Sequence, residues 1–426
     1  MASVTAVAQV TVPGDKSLSH RALMFAALGS GVSVLRGVLP SADVRSTAVV
    51  LRALGVDLPV QWAQTDELRI IGMGRRGLRQ PVVDLDCGNS GTTTRLVAGV
   101  VAGHHMRGTF VGDASLSRRP MRRIARPLTQ MGAAFSFAAD DGLPMTVQGG
   151  ELRDIAWVSP TASAQVKSAI LLAALVAGVS ARVQEPTRSR DHTERMLAAL
   201  GAPITVTDDA VLLDPVGQLA PLMFEVPGDP SSALFLIASA VLRGQPIEVR
   251  NVGVNDTRSG ALAVLMRMGV ALTLVNARDV GGEPVADIHV APCAGLRGVT
   301  IGGDEIPALI DEIPMLACLA ACAVGETRIT DAAELRVKES DRITAVVSNL
   351  RAIGAVADEL PDGLVIDGRE STLKGSVLTH ADHRIAMAFG VLGAMRGNEV
   401  TLDDPQCVDV SFPGFWQALT ELEQAR

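Results

Sequence analysis

Two helix patterns alternate along this sequence and recur often enough to restrict the possible folds. The first is a small, apolar helix that ends at a glycine, found at 21–29, 95–103, 167–178, 232–244, 312–325 and 384–397. The second is amphipathic, found at 43–55, 119–132, 190–201, 256–269, 340–354 and from 413 to the C-terminus. Short β-branched segments such as 32–35 and 204–206 follow the helices. The pattern predicts an α/β chain of six βαβαββ repeat units, each roughly 70 residues long.

A turn sequence that occurs twice divides these units into two sets of three. Val-Pro-Gly-Asp stands at 12–15 and again at 226–229, about half of the chain apart. We place the crossings between two similar lobes at these turns. The predicted first lobe is 14–226, and the second combines 1–13 with 227–426, so that a strand at 4–12 joins the second half. We expect a ligand cleft between the lobes.

Composition argues against several classes of partner. Hydrophobic residues make up 48% of the chain but aromatic residues only 3%, with no tyrosine, so stacking surfaces for single-stranded nucleic acid are scarce. The net charge of −8 also argues against nucleic acid. The apolar run at 169–179 is shorter than the about 20 residues that a membrane helix needs. We expect neither nucleic acid nor a membrane as partner, and an anion site must gather its basic residues locally.

The five cysteines predict free thiols rather than a metal site. No Cys-x-x-Cys pair is present, and Cys318 and Cys322 are four residues apart on an apolar helical stretch. Core packing is far more common than metal binding at such a spacing. Free thiols and the lack of a recognisable signal peptide predict a cytoplasmic protein.

The first Val-Pro-Gly-Asp turn is followed by Lys16, Ser17 and Arg21 at the start of an apolar helix. Free N–H groups and the helix dipole favour an anion at such a position. Taken alone, the segment fits a capped helix with solvated charges equally well. The same device recurs before the helix at 232–244, which favours the anion-binding interpretation.

Further helix starts in the first half carry groups suited to anions or hydroxyls. Gly91 lies in Asn-Ser-Gly-Thr, where backbone N–H groups can face an anion, although a plain N-cap is as common. Arg119 ends a pair of arginines, which suits phosphate or carboxylate but is more often a solvated pair. Ser163 and Gln165 suit the hydroxyl groups of a small polyol. Arg190 opens the next amphipathic helix.

The second half adds carboxylates to the helix starts. Asp311 precedes an apolar helix, where a carboxylate is as often a simple cap as a functional group. The stretch 336–342 holds five charges of mixed sign, and a solvated ion-pair face is the usual interpretation. Because a helix start follows Glu339, we expect Lys338 and Arg342 to project along one helix face.

The last charged helix start is His-Ala-Asp-His-Arg at 380–384. The two histidines and the aspartate are too few to make a metal site, and Arg384 would repel a cation. We therefore expect no metal at this position.

These helix starts together predict a basic cleft in an acidic protein, if three repeats in each lobe aim them inward. Its cations would be Lys16, Arg21, Arg119, Arg190, Lys338, Arg342 and Arg384. Asp311 and Glu339 would form an acid/base pair within it. Such a cleft predicts two phosphorylated or carboxylated small substrates and proton-transfer chemistry.

The motifs at these positions resemble those of the 5-enolpyruvylshikimate-3-phosphate synthase family, over essentially the whole chain. VPGDKSLSHRA, GNSGTTTRL, SRRPM, SAQVKSA, RVKESDR and DHRIAMAF follow in the family's order. The SAQVK and SRDHTERM stretches are more similar to the second of the two bacterial groups. The resemblance implies two lobes of three βαβαββ units that close on the substrates, as the repeats also predict.

The resemblance also implies which residues bind which substrate. Shikimate 3-phosphate would be held by Lys16, Ser17, Arg21, Ser163, Ala164 (through its backbone), Gln165, Arg190, Asp311 and Lys338, with Arg190 on the phosphate. Phosphoenolpyruvate would be held by Lys16, Gly91, Arg119, Gln165, Arg342 and Arg384.

A proton-transfer sequence is implied as well. Asp311 would take the proton of the attacking 5-hydroxyl, and Glu339, helped by Lys16, would protonate the enolpyruvyl methylene. A tetrahedral adduct forms and then loses phosphate. Family members use no metal and no organic cofactor. We expect a monomer that belongs to the shikimate pathway, and glyphosate as an inhibitor that competes with phosphoenolpyruvate.

One departure and two alternatives accompany this assignment. Some relatives place a lysine where Val410 stands here, which leaves that phosphoenolpyruvate contact open. A UDP-N-acetylglucosamine enolpyruvyltransferase shares the architecture, but its Gly-Ala-Lys-Asn start is absent here, and no cysteine lies in an obvious reactive loop. A non-catalytic repeat scaffold would leave the basic helix starts and Asp311 without a common purpose.

Overall fold

The chain gathers into two compact units. The computed structural model describes residues 7–62, 65, 67–369 and 372–424. Of these described residues, those in 14–226 and 279–283 form the N-terminal unit, and those in 7–13, 227–278 and 284–424 form the C-terminal unit. Residues 4–6 of the predicted first strand and the last two residues of the predicted final helix lie outside the described residues.

Helices and short strands alternate through both units. The α-helices are α1 (Lys16–Leu28), α2 (Ala42–Ala53), α3 (Gly91–Ala102), α4 (Ala114–Ser117), α5 (Arg122–Met131), α6 (Ala164–Ala177), α7 (His192–Ala199), α8 (Pro230–Leu242), α9 (Gly260–Arg267), α10 (Ile313–Ala321), α11 (Arg342–Ala352), α12 (His383–Gly393) and α13 (Phe415–Gln424). Short 3₁₀ helices cover Gly303–Ala308, Ile310–Glu312, Ala333–Val337 and Pro405–Val410.

The strands are two to nine residues long. They are β1 (Ala8–Thr11), β2 (Ser30–Arg36), β3 (Leu68–Met73), β4 (Leu85–Asp86), β5 (Arg107–Val111), β6 (Ala134–Phe137), β7 (Met145–Gln148), β8 (Ile155–Val158), β9 (Ala181–Gln184), β10 (Ile204–Val206), β11 (Ala210–Leu213), β12 (Met223–Glu225), β13 (Ile247–Gly253), β14 (Leu272–Val280), β15 (Glu283–Val290), β16 (Thr300–Ile301), β17 (Gly325–Ile329), β18 (Val356–Leu360), β19 (Gly363–Gly368), β20 (Lys374–Val377) and β21 (Glu399–Leu402).

The described strands form six small sheets that repeat one pattern. The orders are β12-β2-β3, β4-β5-β7-β6 and β10-β11-β9-β8 in the N-terminal unit, and β1-β13-β15-β14, β16-β17-β19-β18 and β20-β21 in the C-terminal unit. In the sheet of β8, for example, one parallel pair is followed by two antiparallel pairs. The run β8-α6-β9-α7-β10-β11 is therefore one complete βαβαββ unit, and the predicted α/β fold class is confirmed. The sheet of β12 has three described strands and the sheet of β20 has two.

The strands before the two Val-Pro-Gly-Asp turns are paired with distant parts of the chain. β1 runs parallel to β13, with Ala8 opposite Ile247. β12 runs parallel to β2, with Met223 opposite Val34. The division between the units falls just after these strands, at Pro13 and Val226.

Six helices are buried on nearly every side, and they are the apolar helices of the sequence pattern: α1, α3 and α6 in the N-terminal unit, and α8, α10 and α12 in the C-terminal unit. We call them the inner helices. The amphipathic helices α2, α5, α7, α9, α11 and α13 keep an exposed face. All twelve predicted helices are thus present. Within the described residues, none of the helices combines the length and the apolar character needed to cross a membrane.

Some helix and strand ends differ from the sequence prediction, because helix caps and solvent exposure set them. α3 begins at Gly91 rather than Arg95, since the Ser90 hydroxyl accepts a hydrogen bond from the backbone N–H of Thr93 at 3.2 Å. The strand that precedes this helix start is only two residues long, Leu85–Asp86, and Val82 before it is 94% exposed.

Two of the inner helices, α3 and α6, approach each other closely because their contact faces carry small residues. A Cβ added to Gly99 of α3 would lie 2.2 Å from the carbonyl oxygen of Ala169 in α6. A Cβ on Gly103 would lie 2.7 Å from Cβ of Val176. Real Cβ atoms do not come so near to other heavy atoms, so the two glycines set the distance between α3 and α6.

We predict that Gly99→Ala destabilises the protein by at least about 2 kcal/mol, although alanine is the better helix former, because the methyl group overpacks the α3–α6 contact. The free energy of unfolding from urea denaturation measures the effect. Gly150→Ala is the matched control, since a Cβ at Gly150 meets no atom within 4 Å. Equal stabilities of the two variants would contradict this account of the packing.

Candidate active site

The first Val-Pro-Gly-Asp turn places Lys16 at the start of α1. The Asp15 carboxylate caps the helix by accepting a hydrogen bond from the Leu18 N–H at 2.8 Å. Gly14 is required for the turn, because a Cβ there would lie 2.0 Å from the carbonyl oxygen of Gly37. The Lys16 ammonium forms an ion pair with Asp43 at 3.0 Å. The turn therefore holds Lys16 in place before any ligand binds.

Arg21 lies further along α1, where the inner helices α1 and α6 meet the amphipathic helix α7. It is 4% exposed. Its Nε donates to the Thr193 hydroxyl at 2.7 Å and its Nη2 to the Ser168 hydroxyl at 2.9 Å, while Nη1 donates to the carbonyl oxygen of Ser17 at 3.0 Å. Burial lowers the pKa of Arg21 to about 10, against the opposing charges of Glu194 and Asp15. Arg21 therefore remains a cation at neutral pH, oriented by two hydroxyl groups.

Arg190 adds a second positive charge beside Arg21. It precedes α7, whose N-cap is Asp191. The charge of Arg190 is one of the causes that lower the pKa of Arg21. The sequence pattern grouped these two cations with five others in the predicted cleft, and the resemblance alone placed Arg190 on the phosphate. In the folded unit, the charge of Arg190 acts on Arg21.

The start of α3 forms a second polar cluster around Gly91. The Arg95 guanidinium donates to the Gln165 amide oxygen at 2.6 Å, and the Gln165 amide donates to the Thr92 hydroxyl at 3.1 Å. Arg119 donates to the Asn89 amide oxygen. A Cβ on Gly91 would lie 2.9 Å from Nη1 of Arg95 and 3.4 Å from Nη1 of Arg119. Gly91 therefore leaves room for two guanidinium groups.

A chain of buried polar side chains joins the starts of α1 and α3. His20 Nδ1 is 2.6 Å from the Thr47 hydroxyl, which is 2.7 Å from the Thr93 hydroxyl. Thr93 donates to the Ser90 hydroxyl at 2.8 Å, and Ser90 caps α3. Burial, with the charges of Lys16 and Arg21, lowers the pKa of His20 well below 6.5. A neutral imidazole therefore connects the two basic helix starts.

The second Val-Pro-Gly-Asp turn has the same cap but a different cation. Asp229 accepts a hydrogen bond from the Ser231 N–H at 2.7 Å. No lysine follows it in sequence; instead Arg258, which is 2% exposed, donates to Asp229 at 3.2 Å and to the Ser231 hydroxyl at 2.9 Å. Ser231 in turn donates to Glu312. This turn therefore forms a buried polar network, which Arg384 also joins through Ser231 and Glu312.

Arg342 is the centre of the polar groups in the C-terminal unit. It is 1% exposed and contacts three carboxylates, which are Asp382 at 2.8 Å, Glu339 at 2.6 Å and Asp311 at 3.2 Å. Burial disfavours its charge, but Asp382 and Glu339 outweigh burial and raise the pKa of Arg342 above its ordinary value. Burial alone would raise the pKa of Asp382, but the charge and hydrogen bonds of Arg342 together lower it below 3.8.

Asp311 is bracketed by two cations rather than used as a helix cap. Its Oδ1 is 3.4 Å from the Lys338 ammonium and 3.2 Å from Arg342. The expectation that Lys338 and Arg342 share a helix face is wrong, because Asp341 caps α11 and Lys338 lies before it in extended backbone. Both cations still reach Asp311, because the chain turns between them.

Arg384 completes this group from the start of α12. Its Nη1 donates to the Asp311 carbonyl oxygen at 2.9 Å and lies 3.4 Å from Glu312. His380 and Ala381 both adopt positive φ, 54° and 55°. Backbone with positive φ is strained in residues other than glycine. The next residue, Asp382, caps α12, since its carboxylate accepts a hydrogen bond from the Arg384 backbone N–H at 3.0 Å. The turn therefore directs Asp382 and Arg384 toward the same group of charges.

Several residues of this arrangement were missed from the sequence. Asp382 stood inside the His-Ala-Asp-His-Arg motif and had a detectable signal, its N-cap position before an apolar helix. Arg95 and Glu312 each stood at the first position of a predicted apolar helix, which was a detectable signal. Arg258 gave no comparable signal, since its partners Asp229 and Ser231 lie far away in sequence. Within the described ranges, no three His, Cys, Asp or Glu side chains are placed to hold a metal ion. All five cysteines are free thiols, as expected.

These features define an α/β protein whose apolar inner helices begin with groups suited to small anions and to proton transfer. Among solved structures, the fold is similar to EPSP synthase from Acinetobacter baumannii, with a TM-score of 0.84, 41% identity and coverage of 98% of this chain and 94% of that one. It is also similar to the enolpyruvyl transferase NikO from Streptomyces tendae, with a TM-score of 0.75, 17% identity and coverage of 98% and 95%. The second likeness concerns the fold alone.

The sequence comparisons identify the family. The family model for EPSP synthase (3-phosphoshikimate 1-carboxyvinyltransferase) matches residues 3–419. Proteins named 3-phosphoshikimate 1-carboxyvinyltransferase from Herpetosiphon aurantiacus and Gloeobacter violaceus are both 47% identical, over 98% of this chain and 97% and 96% of theirs. The chain belongs to the EPSP synthase family, and the resemblance drawn from its motifs is confirmed.

The buried imidazole predicts a pH-dependent stability. Because the folded pKa of His20 lies below the unfolded value, the unfolded state binds more protons, and stability is lost as the pH falls from about 6.5 toward the folded pKa. Urea denaturation between pH 7 and pH 5 should show a slope that is steeper in the wild type than in His20→Gln, by up to about 1.4 kcal/mol per pH unit.

The control for this experiment is His105→Gln, since the His105 side chain is 60% exposed. That variant should keep the wild-type slope. Parallel slopes of the wild type and His20→Gln would contradict the assignment of a neutral, buried imidazole.

Proposed function

We propose that the chain transfers the enolpyruvyl group of phosphoenolpyruvate to the 5-hydroxyl of shikimate 3-phosphate and releases phosphate, as a 3-phosphoshikimate 1-carboxyvinyltransferase of the shikimate pathway. Membership of the family supports the activity. The observation that carries the proposal is Asp311, a carboxylate held between Lys338 and Arg342. That arrangement suits a base close to the negatively charged groups of a substrate.

The groups of the N-terminal unit suit the phosphate and hydroxyls of shikimate 3-phosphate. Arg21 and Arg190 supply adjacent positive charge, and guanidinium groups bind phosphate in a bidentate manner. We propose that the remaining polar contacts come from Lys16, Ser17, Ser163, Ala164 and Gln165, and from Asp311 and Lys338 of the C-terminal unit.

Phosphoenolpyruvate carries a phosphate and a carboxylate and needs several cations. We propose that Lys16, Gly91, Arg119, Gln165, Arg342 and Arg384 bind it. Arg342 already contacts three carboxylates, so a ligand carboxylate would have to replace one of them. Glu339 and Asp311 are the more exposed of the three, at 20% and 13% against 0% for Asp382. We therefore propose that Asp382 keeps Arg342 oriented while the others exchange.

The proposed chemistry moves two protons and then expels phosphate. Asp311 accepts the proton of the 5-hydroxyl as that oxygen bonds to C2 of phosphoenolpyruvate, and Glu339 donates a proton to C3, which becomes a methyl group. The C2–O bond to phosphate then breaks while C3 returns a proton to the Glu339 carboxylate, and the C2–C3 double bond forms again. Lys16 stabilises negative charge near the reacting carbon. None of these steps needs a metal or an organic cofactor.

Phosphate release with both substrates present tests the proposal. We expect turnover that requires shikimate 3-phosphate together with phosphoenolpyruvate. Replacing shikimate 3-phosphate by UDP-N-acetylglucosamine should abolish the release, and turnover with that sugar nucleotide would favour the alternative enolpyruvyltransferase. Binding of neither substrate would leave the repeat scaffold as the better interpretation. The monomeric state and the cytoplasmic location stay predictions from the sequence.

Asp311→Asn should lower kcat by about 10²-fold or more while shikimate 3-phosphate still binds, because the amide keeps the shape but cannot take the proton. Steady-state phosphate release and ligand titration measure the two effects. Asp358→Asn makes the same change on a side chain that is 76% exposed, and it should leave kcat unchanged. A near-normal kcat for Asp311→Asn would remove Asp311 from the mechanism.

Gly91→Ala should weaken the binding of glyphosate more than the binding of phosphoenolpyruvate. The added Cβ would press on the Arg95 and Arg119 guanidinium groups, and glyphosate is longer than the substrate that it replaces. We expect the ratio of the glyphosate inhibition constant to the KM for phosphoenolpyruvate to rise about 30-fold, or ~2 kcal/mol. Equal changes in the two constants would exclude Gly91 as a discriminating position, and an unchanged melting temperature serves as the folding control.

A further inference from the structure

Lys167 is a buried cation to which the substrate assignments give no role. It lies on α6, one turn after the helix start that carries Ser163, Ala164 and Gln165. Its side chain is 3% exposed. The ammonium lies 2.7 Å from Glu185 and 2.8 Å from Glu194. A lysine with two carboxylate partners is uncommon in a protein interior, since each buried charge must be compensated.

The two carboxylates have a larger effect on the pKa of Lys167 than the burial of its ammonium group. Burial alone would lower the pKa of Lys167, but the charges of Glu194 and Glu185 raise it above 10.5. Lys167 is therefore a permanent cation at neutral pH. It also donates a hydrogen bond to the carbonyl oxygen of Ser189 at 3.4 Å.

Glu185 uses both carboxylate oxygens to join two separate segments. Its Oε1 accepts hydrogen bonds from the Ser163 backbone N–H and from the Ser189 hydroxyl, both at 2.8 Å. Its Oε2 accepts from the Ser189 backbone N–H at 3.4 Å and contacts Lys167. Ser163 caps α6, and Ser189 immediately precedes Arg190. Glu185 thus connects the start of α6 to the segment that carries Arg190.

Glu194 differs from Glu185 in its other contacts, although both carboxylates pair with the Lys167 ammonium. It lies on α7 and is 2% exposed. Its neighbour Thr193 supports Arg21, together with Ser168, the neighbour of Lys167. In the described part of the chain, the hydrogen bonds of Ser163 and Ser189 to a carboxylate go to Glu185, so Glu194 shares the ion pair with Lys167 but not the link between segments.

We propose that Lys167 and Glu185 are positioning residues that hold Ser163 and Arg190 at the separation required by one phosphorylated ligand. The inference rests on the proposed function for the identity of that ligand, shikimate 3-phosphate. Neither side chain needs to touch the ligand, because Glu185 acts through Ser163 and Ser189 and Lys167 orients Glu185.

The test compares two substitutions of the same chemical kind. Glu185→Gln replaces one acceptor oxygen by an NH₂ group that faces two donors, Lys167 and Ser189. Glu194→Gln removes the other charge from the same ammonium. Both should lower the melting temperature to a similar degree. Only Glu185→Gln should weaken shikimate 3-phosphate binding about tenfold relative to Glu194→Gln, equal to ~1.4 kcal/mol.

Isothermal titration calorimetry of the full-length protein with shikimate 3-phosphate gives the dissociation constants. Steady-state kinetics should show a KM for this substrate that rises about tenfold in Glu185→Gln, with kcat within about threefold of the wild type. Equal affinity of the two variants, or wild-type affinity of Glu185→Gln, would overturn the proposal.

A milder variant keeps the test decisive if Glu185→Gln does not fold. Ser189→Ala removes the hydroxyl that donates to Glu185 and leaves the ion pair intact, and it should weaken binding about threefold. Unchanged binding by Ser189→Ala would then reject the positioning role. Failure of the proposed function differs visibly from both results, because it would be seen as absent phosphate release by the wild type.

Discussion

The close packing of the inner helices is the constraint on which the rest of each unit depends. Where α3 meets α6, Gly99 and Gly103 leave no room for a Cβ. The helix starts lie close together as well, since Gln165 contacts Thr92 in the N-terminal unit and Arg384 contacts Ser231 in the C-terminal unit. Each unit therefore gathers three sets of free N–H groups and their flanking side chains, and these positions carry the groups assigned to the substrates.

Burying charged side chains at the helix starts costs desolvation free energy, and the two units compensate these charges in different ways. The N-terminal unit compensates Arg21 with hydroxyl groups and more distant carboxylates, so its guanidinium stays cationic with few direct anionic partners. The C-terminal unit surrounds Arg342 with three carboxylates. The first arrangement suits recognition of an anion, and the second places beside Arg342 the two carboxylates to which the proposed function gives the proton transfers.

A second layer of polar contacts lies behind these groups and fixes their positions. His20, Thr47 and Thr93 connect two helix starts through hydroxyl groups, while Lys167 and Glu185 connect two others through an ion pair. Buried networks of this kind are costly when only partly satisfied. The contacts of these two networks are made to other side chains and to backbone groups at the helix starts.

The sequence by itself determined the elements and the residue types at their starts. Apolar spacing, closing glycines and capping residues are local signals, so all twelve predicted helices and the positions of Lys16, Arg21 and Gly91 followed from short stretches. The partners of those residues were decided only by the tertiary structure. Arg21 meets Thr193 across 172 residues, and Arg342 meets Asp382 across 40. Such pairs depend on helix packing, which no local pattern specifies, and the same reason explains why Lys338 reaches Asp311 from outside α11.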